Sequence, residues 1–233
     1  MNFRCFLLAL AVPALVCVLP ISSASPSPDV ADDRGSGGRS SADIAADAVL
    51  LTDFTEDRHN DRWAVVNDNV MGGRSEGYLA FTDPEGGVMA MTGDINTNGG
   101  GFTSVRMRVD AELFESEADA SVLEELRAVR LRVRGDAASL GKPFALRLED
   151  DVPRSRRINF RALLPLDPEA EPGDWQTVTV AVEDLQPTHH GRRLNPNDWA
   201  PLDTARLARV GLILNDVADG PYRFEVKRIE LLR

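Results

Sequence analysis

Residues 129–134 read Val-Arg-Leu-Arg-Val-Arg, and this alternation decides the fold class. Successive side chains of a strand point to opposite faces, so Val129, Leu131 and Val133 share an apolar face while Arg130, Arg132 and Arg134 share the other. The same period recurs outward from this stretch. Phe144, Leu146 and Leu148 alternate with Ala145, Arg147 and Glu149, and residues 177–182 form a β-branched run behind Trp175. Phe224, Val226, Ile229 and Leu231 build a last strand with one irregularity of register. Glycine, proline and Asp/Asn clusters interrupt these runs at intervals typical of antiparallel strands. The pattern predicts an all-β protein, an antiparallel β-sandwich or jelly roll of about eight or nine strands. One or two short helices are expected, over Ala120–Ala128 and Asp203–Ala208, the latter with Asp203 as its cap.

Upstream of the strands, Arg4 precedes the apolar run Phe6–Ile21, and small residues Ser22 to Ser25 follow. This reads as a secretory signal peptide over residues 1–24. Residues 25–47, rich in Ser, Pro, Gly and Asp, read as a flexible linker, and the folded domain is expected over residues 48–233. The expectation that follows is an exported protein, periplasmic or extracellular, with no direct membrane insertion once the signal is removed. Cys5 and Cys17 both lie in the signal segment, so thiol catalysis, redox pairs and cysteine-held zinc are excluded from the domain. With 26 basic against 37 acidic side chains and a net charge of −11, the chain has no broad positive field and is not expected to bind nucleic acid.

Two glycine-bearing corners carry the remaining information. Residues 63–77 run from Trp63 through Asn67, Asp68 and Asn69 to Gly72, Gly73, Arg74 and Ser75. Paired glycines permit positive φ or close backbone approach, and the Asx side chains beside them either satisfy their own turn or line a polar concavity. Val70 and Met71 are expected to plug the turn from beneath. Residues 93–108 carry Asn98 and then Gly99–Gly101, but no Lys-Ser/Thr opens a helix there, so this is not a phosphate loop. A bulge is expected to send Phe102 and Val105 into the core. Arg106 and Arg147 fall on sheet faces, where a guanidinium either joins a cross-strand ion pair or anchors a carboxylate or sugar hydroxyl. The candidate ligand-binding set is therefore Asn67, Asp68, Asn69, Arg74, Ser75, Asn98, Arg106 and Arg147.

No catalytic residue is assigned. His59, His189 and His190 are the only histidines, and the adjacent pair would point to opposite sides of a strand. Glu149, Asp150 and Asp151 cluster at a strand end and read as a solvated loop or an oxygen-ligand site for calcium, although no metal ligand is assigned. Asp216 and Asp219 flank a turn before Gly220-Pro221.

Residues 63–77, the Gly-Asp-Ile…Asn-Gly-Gly-Gly-Phe-Thr-Ser-Val-Arg block at 93–106, Gly173-Asp-Trp-Gln-Thr-Val, and the terminal run from Val210 to Val226 closely resemble, in order and spacing, the complex I intermediate-associated protein family of the thirty-kilodalton assembly-factor type. The resemblance implies a galactose-binding-like β-sandwich, a fold that often carries a structural calcium, and the absence of established catalytic residues. It leaves two expectations. One is a non-catalytic module binding a polar ligand, carbohydrate included, through the glycine-rich loops. The other is a protein-binding assembly factor or chaperone for a membrane complex of respiratory type, which predicts an exposed apolar or arginine-rich patch. Partners are accordingly a protein or a glycan. A carboxylate-dependent hydrolase is the least favoured reading.

Overall fold

The computed structural model describes residues 48–82, 87–154, 157–215 and 218–233. Residues 1–47, over which a signal segment and a linker are expected, and Asp216 lie outside the described residues. In chain order the strands are β1 Ala48–Thr52, β2 Trp63–Asn67, β3 Glu76–Thr82, β4 Val88–Ile95, β5 Phe102–Arg108, β6 Ala128–Gly135, β7 Phe144–Asp150, β8 Asn159–Leu163, β9 Gln176–Ala181, β10 Gln186–His189, β11 Arg192–Arg193, β12 Leu207–Asn215 and β13 Gly220–Leu232. They form two antiparallel sheets, one ordered β3-β4-β13-β6-β9 with β1 also on β13, the other β11-β10-β8-β7-β12-β5-β2. This is the expected β-sandwich, with more strands than the alternation revealed because β10 and β11 are only 4 and 2 residues long.

Alternation sorts each strand as anticipated. Val129, Leu131 and Val133 from the first sheet and Leu146, Leu148, Leu212 and Leu214 from the second are fully buried between the layers. Phe144 of β7 stacks on Phe224 of β13 at 4.0 Å between centroids, tying one layer to the other. The irregularity in the last strand falls between Val226 and Arg228, where the β13–β6 register shifts.

Both expected helices are shorter. Glu117–Ala120 is a single α-turn capped by Ser116, and Ser121–Glu125 is 3₁₀. Ala128 opens β6 because it pairs with both Leu232 and Ala181. Thr204–Arg206 is one 3₁₀ turn in which the Asp203 side chain makes no cap bond. Instead the Asp203 backbone N–H donates to Asp150 Oδ2 at 2.9 Å.

Candidate functional site

The loop after β2 is built around Asp68, which has no exposed surface. Its carboxylate accepts from Ser75 N at 2.8 Å, Ser75 Oγ at 2.7 Å, Gly101 N at 2.7 Å and Phe102 N at 3.3 Å. Burial alone would raise its pKa, but these hydrogen bonds outweigh desolvation and hold it below the usual carboxylate range. The glycines follow from the same burial. A Cβ on Gly73 or on Gly100 would stand 2.2 Å from Asp68 side-chain atoms. Asp68 is thus a clasp joining two loops, with no surface for a ligand.

Because the carboxylate occupies the interior, the apolar members of the loop turn outward. Val70 and Met71 are 70% and 55% exposed, not the buried plug expected of them. Ser75 belongs to the clasp, its Oγ accepting from Asn96 N at 3.0 Å. Asn67 bridges Gly77 O and Thr103 Oγ1. Asn69, Arg74 and Asn98 are exposed and do not line the cleft described below. Phe102 also departs from expectation: β5 pairs with β12 in unbroken register, so no bulge intervenes, and Phe102 lies opposite Asn215 and lines the cleft.

The remaining candidates, Arg106 and Arg147, come together on the outer face of the second sheet. Arg106 pairs with Gly211, Gly211 with Arg147, and Arg147 with Arg161, which places three guanidinium side chains in one transverse row. Gly211 is required between them, since a Cβ there would meet Val105 O at 2.3 Å and the Arg106 Cγ at 3.2 Å. Glu149 lies beside the row and forms ion pairs with Arg147, with Arg209 at 3.3 Å and with Arg157 at 3.8 Å. Arg106 Nε donates instead to Ser104 Oγ at 3.2 Å and Arg161 Nε to Asn159 Oδ1 at 2.8 Å, both neutral acceptors. Burial lowers all three guanidinium pKa values, Arg147 to about 9 and Arg161 to about 10, against the attraction of Glu149 and with help from the neighbouring arginines.

These side chains line a cleft of about 490 Å³ that also takes in Val70, Met71, Phe102 and Arg157. A second hollow of about 440 Å³ shares Arg161, Gly191, Ile213 and Asn215 with it, so the two run on across the sheet. His189 and His190 both line the first cleft, their rings edge to face at 4.1 Å. The expectation of opposite directions fails because only His189 is in the strand, while His190 sits in a turn with φ +46°. Arg157, Arg161 and the histidine pair escaped sequence reasoning. Alternation across Asn159-Phe160-Arg161 was the available signal for Arg161.

The carboxylates at 149–151 do not form a calcium site. Glu149 serves its arginines, both Asp150 oxygens face Arg154, and Asp151 pairs with Arg206 at 2.7 Å. Oxygens committed to guanidiniums leave no hard-cation cage, and no cluster of three or more metal-ligating side chains occurs among the described residues. Asp219 accepts from Thr97 N and Oγ1, which ties the residue before β13 to the segment after β4.

Comparison with known proteins gives a family and a fold. The family described as complex I intermediate-associated protein 30 matches residues 52–226. The mouse (Mus musculus) protein "Complex I intermediate-associated protein 30, mitochondrial" is 24% identical over 205 residues, covering 84% of this chain and 60% of that protein. The chain therefore spans about 60% of that relative's length. Among solved structures, a family 11 carbohydrate-binding module from Clostridium thermocellum in complex with a mixed-linked tetrasaccharide superposes with a TM-score of 0.54 at 10% identity, covering 80% of this chain and 95% of that one. The same module of the cellulase Lic26A-Cel5E gives 0.55, again at 10% identity, with 79% and 94% covered. These show the fold alone. The expected periplasmic or extracellular location is corrected by the mouse relative, which is a mitochondrial protein and not an exported one. An apolar run behind one arginine records hydrophobicity and charge order, and those features alone do not carry the destination.

Proposed function

The chain belongs to the complex I intermediate-associated protein 30 family, and on that premise we propose that it is a non-catalytic binding protein which docks a partner protein in the cleft of its second sheet, in the manner of an assembly factor. One observation carries this reading: the cleft joins a row of guanidiniums to the exposed side chains of Val70 and Met71. Arginine and methionine are enriched at protein interfaces, and an exposed apolar lip beside fixed charges suits a polypeptide. Carbohydrate has less support. Stacking on sugar rings uses exposed tryptophan or tyrosine, whereas Trp63 and Tyr222 are buried, Trp175 lies against Arg134, Trp199 borders a different hollow, and Tyr78 stands on β3 of the other sheet. The name of the mouse relative points to an assembly intermediate as the partner class.

Photo-crosslinkers placed at Met71 and, separately, at Tyr78 in the native host test the proposal. Discrete protein adducts are expected from Met71 and none from Tyr78. An absence of adducts at Met71, together with glycan-array binding lost on Arg147→Leu, would replace the protein-docking reading with a carbohydrate module.

A further inference from the structure

The charges on the second sheet are out of balance. Five guanidiniums, those of Arg106, Arg147, Arg157, Arg161 and Arg209, act on one another around a single carboxylate among the described residues, Glu149. Arg147 is only 6% exposed, and although Nη2 pairs with Glu149, its buried Nε and Nη1 have no hydrogen-bond partner among the described residues. Buried donors of a charged group are costly unless an acceptor reaches them. Arg106 and Arg161, on either side of it in the row, have no carboxylate within ion-pair distance among the described residues, their Nε groups being held by Ser104 and Asn159. Arginine does not relieve such a deficit by losing its proton under ordinary conditions. An anion entering from the open side would complete the arrangement.

The size of the row indicates which anion. Arg106 and Arg147 are separated by β12 and Arg161 lies one strand further, so with strands about 4.8 Å apart the row spans roughly 14 Å. A single small oxyanion cannot meet such a row from end to end. Carboxylates at alternate positions of an extended chain recur about every 7 Å and can meet it at more than one point. Bidentate pairing of guanidinium with carboxylate supplies geometric selection as well as charge. Phe102, Met71 and Val70 along the same cleft would receive apolar side chains between the acids.

We infer that the Arg106–Arg147–Arg161 row recognises the carboxylates of an extended acidic segment of the partner protein. The inference rests on the docking reading above and names the chemistry of its ligand. The test is calorimetric titration of the full chain with an extended peptide carrying glutamates at alternate positions, beside its glutamine counterpart, inorganic phosphate and a mixed-linked glucan tetrasaccharide. The glutamate peptide should bind at least about tenfold more tightly than the glutamine peptide, and Arg161→Gln should weaken it by about tenfold. Arg228→Gln on the other sheet should leave its affinity within about twofold. Arg147→Leu should weaken it at least as much as Arg161→Gln. If Arg147→Leu fails to fold, the half-buried Arg161 carries the comparison. Equal binding of both peptides, binding of phosphate or tetrasaccharide alone, no binding at all, or indifference to Arg161→Gln would each overturn the inference. Persistence of the Met71 adducts in any of those cases would leave the docking reading standing, whereas loss of the adducts with glutamate-peptide binding retained would remove docking and keep the carboxylate chemistry.

Discussion

The sandwich carries arginines on both outer faces, and the two faces treat them differently. On the first sheet two glutamates take two arginines each, one per oxygen: Glu225 holds Arg134 and Arg223, and Glu230 holds Arg130 and Arg228. About half of the Arg223 and Arg228 side chains is open to water, which screens what the glutamates leave unbalanced. Desolvation would raise the Glu225 pKa, and hydrogen bonds from Arg134 and Arg223, one to each carboxylate oxygen, lower it overall. On the second sheet Glu149 is, among the described residues, the one carboxylate acting on five arginines, and the central guanidinium is withdrawn from water with donors that no described residue meets. Counting arginines does not separate a solvated ladder from a receptor surface. The number of counter-charges and the access of water do.

Substitution of the two kinds of glutamate should break the comparison most sharply. Glu149→Gln leaves buried guanidiniums unanswered and should destabilise the domain by about 3 kcal/mol in urea unfolding. Glu230→Gln, on the partly solvated ladder, should lose about 1 kcal/mol or less. Equal losses would mean that the faces are alike.

Asp68 offers a buried charge of the opposite kind, with its hydrogen bonds complete. Asp68→Asn sets an amide against backbone donors and should reduce stability by about 2 kcal/mol at neutral pH. Its folded pKa is depressed, so the stabilisation is fully present above the ordinary carboxylate value and is lost as pH falls through the folded one. The gap between wild type and Asp68→Asn should therefore narrow in acid, as acid titrations of both followed by circular dichroism would register. A smaller effect, about 1–2 kcal/mol, is expected of Gly211→Ala, whose Cβ must push on the Val105 carbonyl and on Arg106. The same substitution should weaken acidic-peptide binding, because it disturbs the row at its middle.

The sandwich was legible because a core between two sheets forces period-two alternation, and Val129–Arg134 and Phe144–Glu149 display it directly. Arg106 and Arg147 were legible as sheet-face arginines by the same rule. That they share a row with Arg161 was not, because the row is set by cross-strand register through β12, and no local pattern reports which residue lies opposite Gly211. The clasp was misread for a related reason. Asx residues beside glycine suggest polar atoms facing a ligand, yet Asp68 finds backbone donors from a loop more than 30 residues away in sequence, and its burial turns Val70 and Met71 outward. The histidine pair depended on one positive φ at His190, which strand periodicity does not anticipate.

The most direct measurement is the side-chain Nε–Hε NMR spectrum of the arginines during titration with the glutamate peptide. The Arg106, Arg147 and Arg161 resonances should move together with saturable shifts, while those of Arg130 and Arg134 stay in place. Shifts spread equally over both faces, or confined to the first sheet, would contradict the assignment of the second sheet as the binding surface.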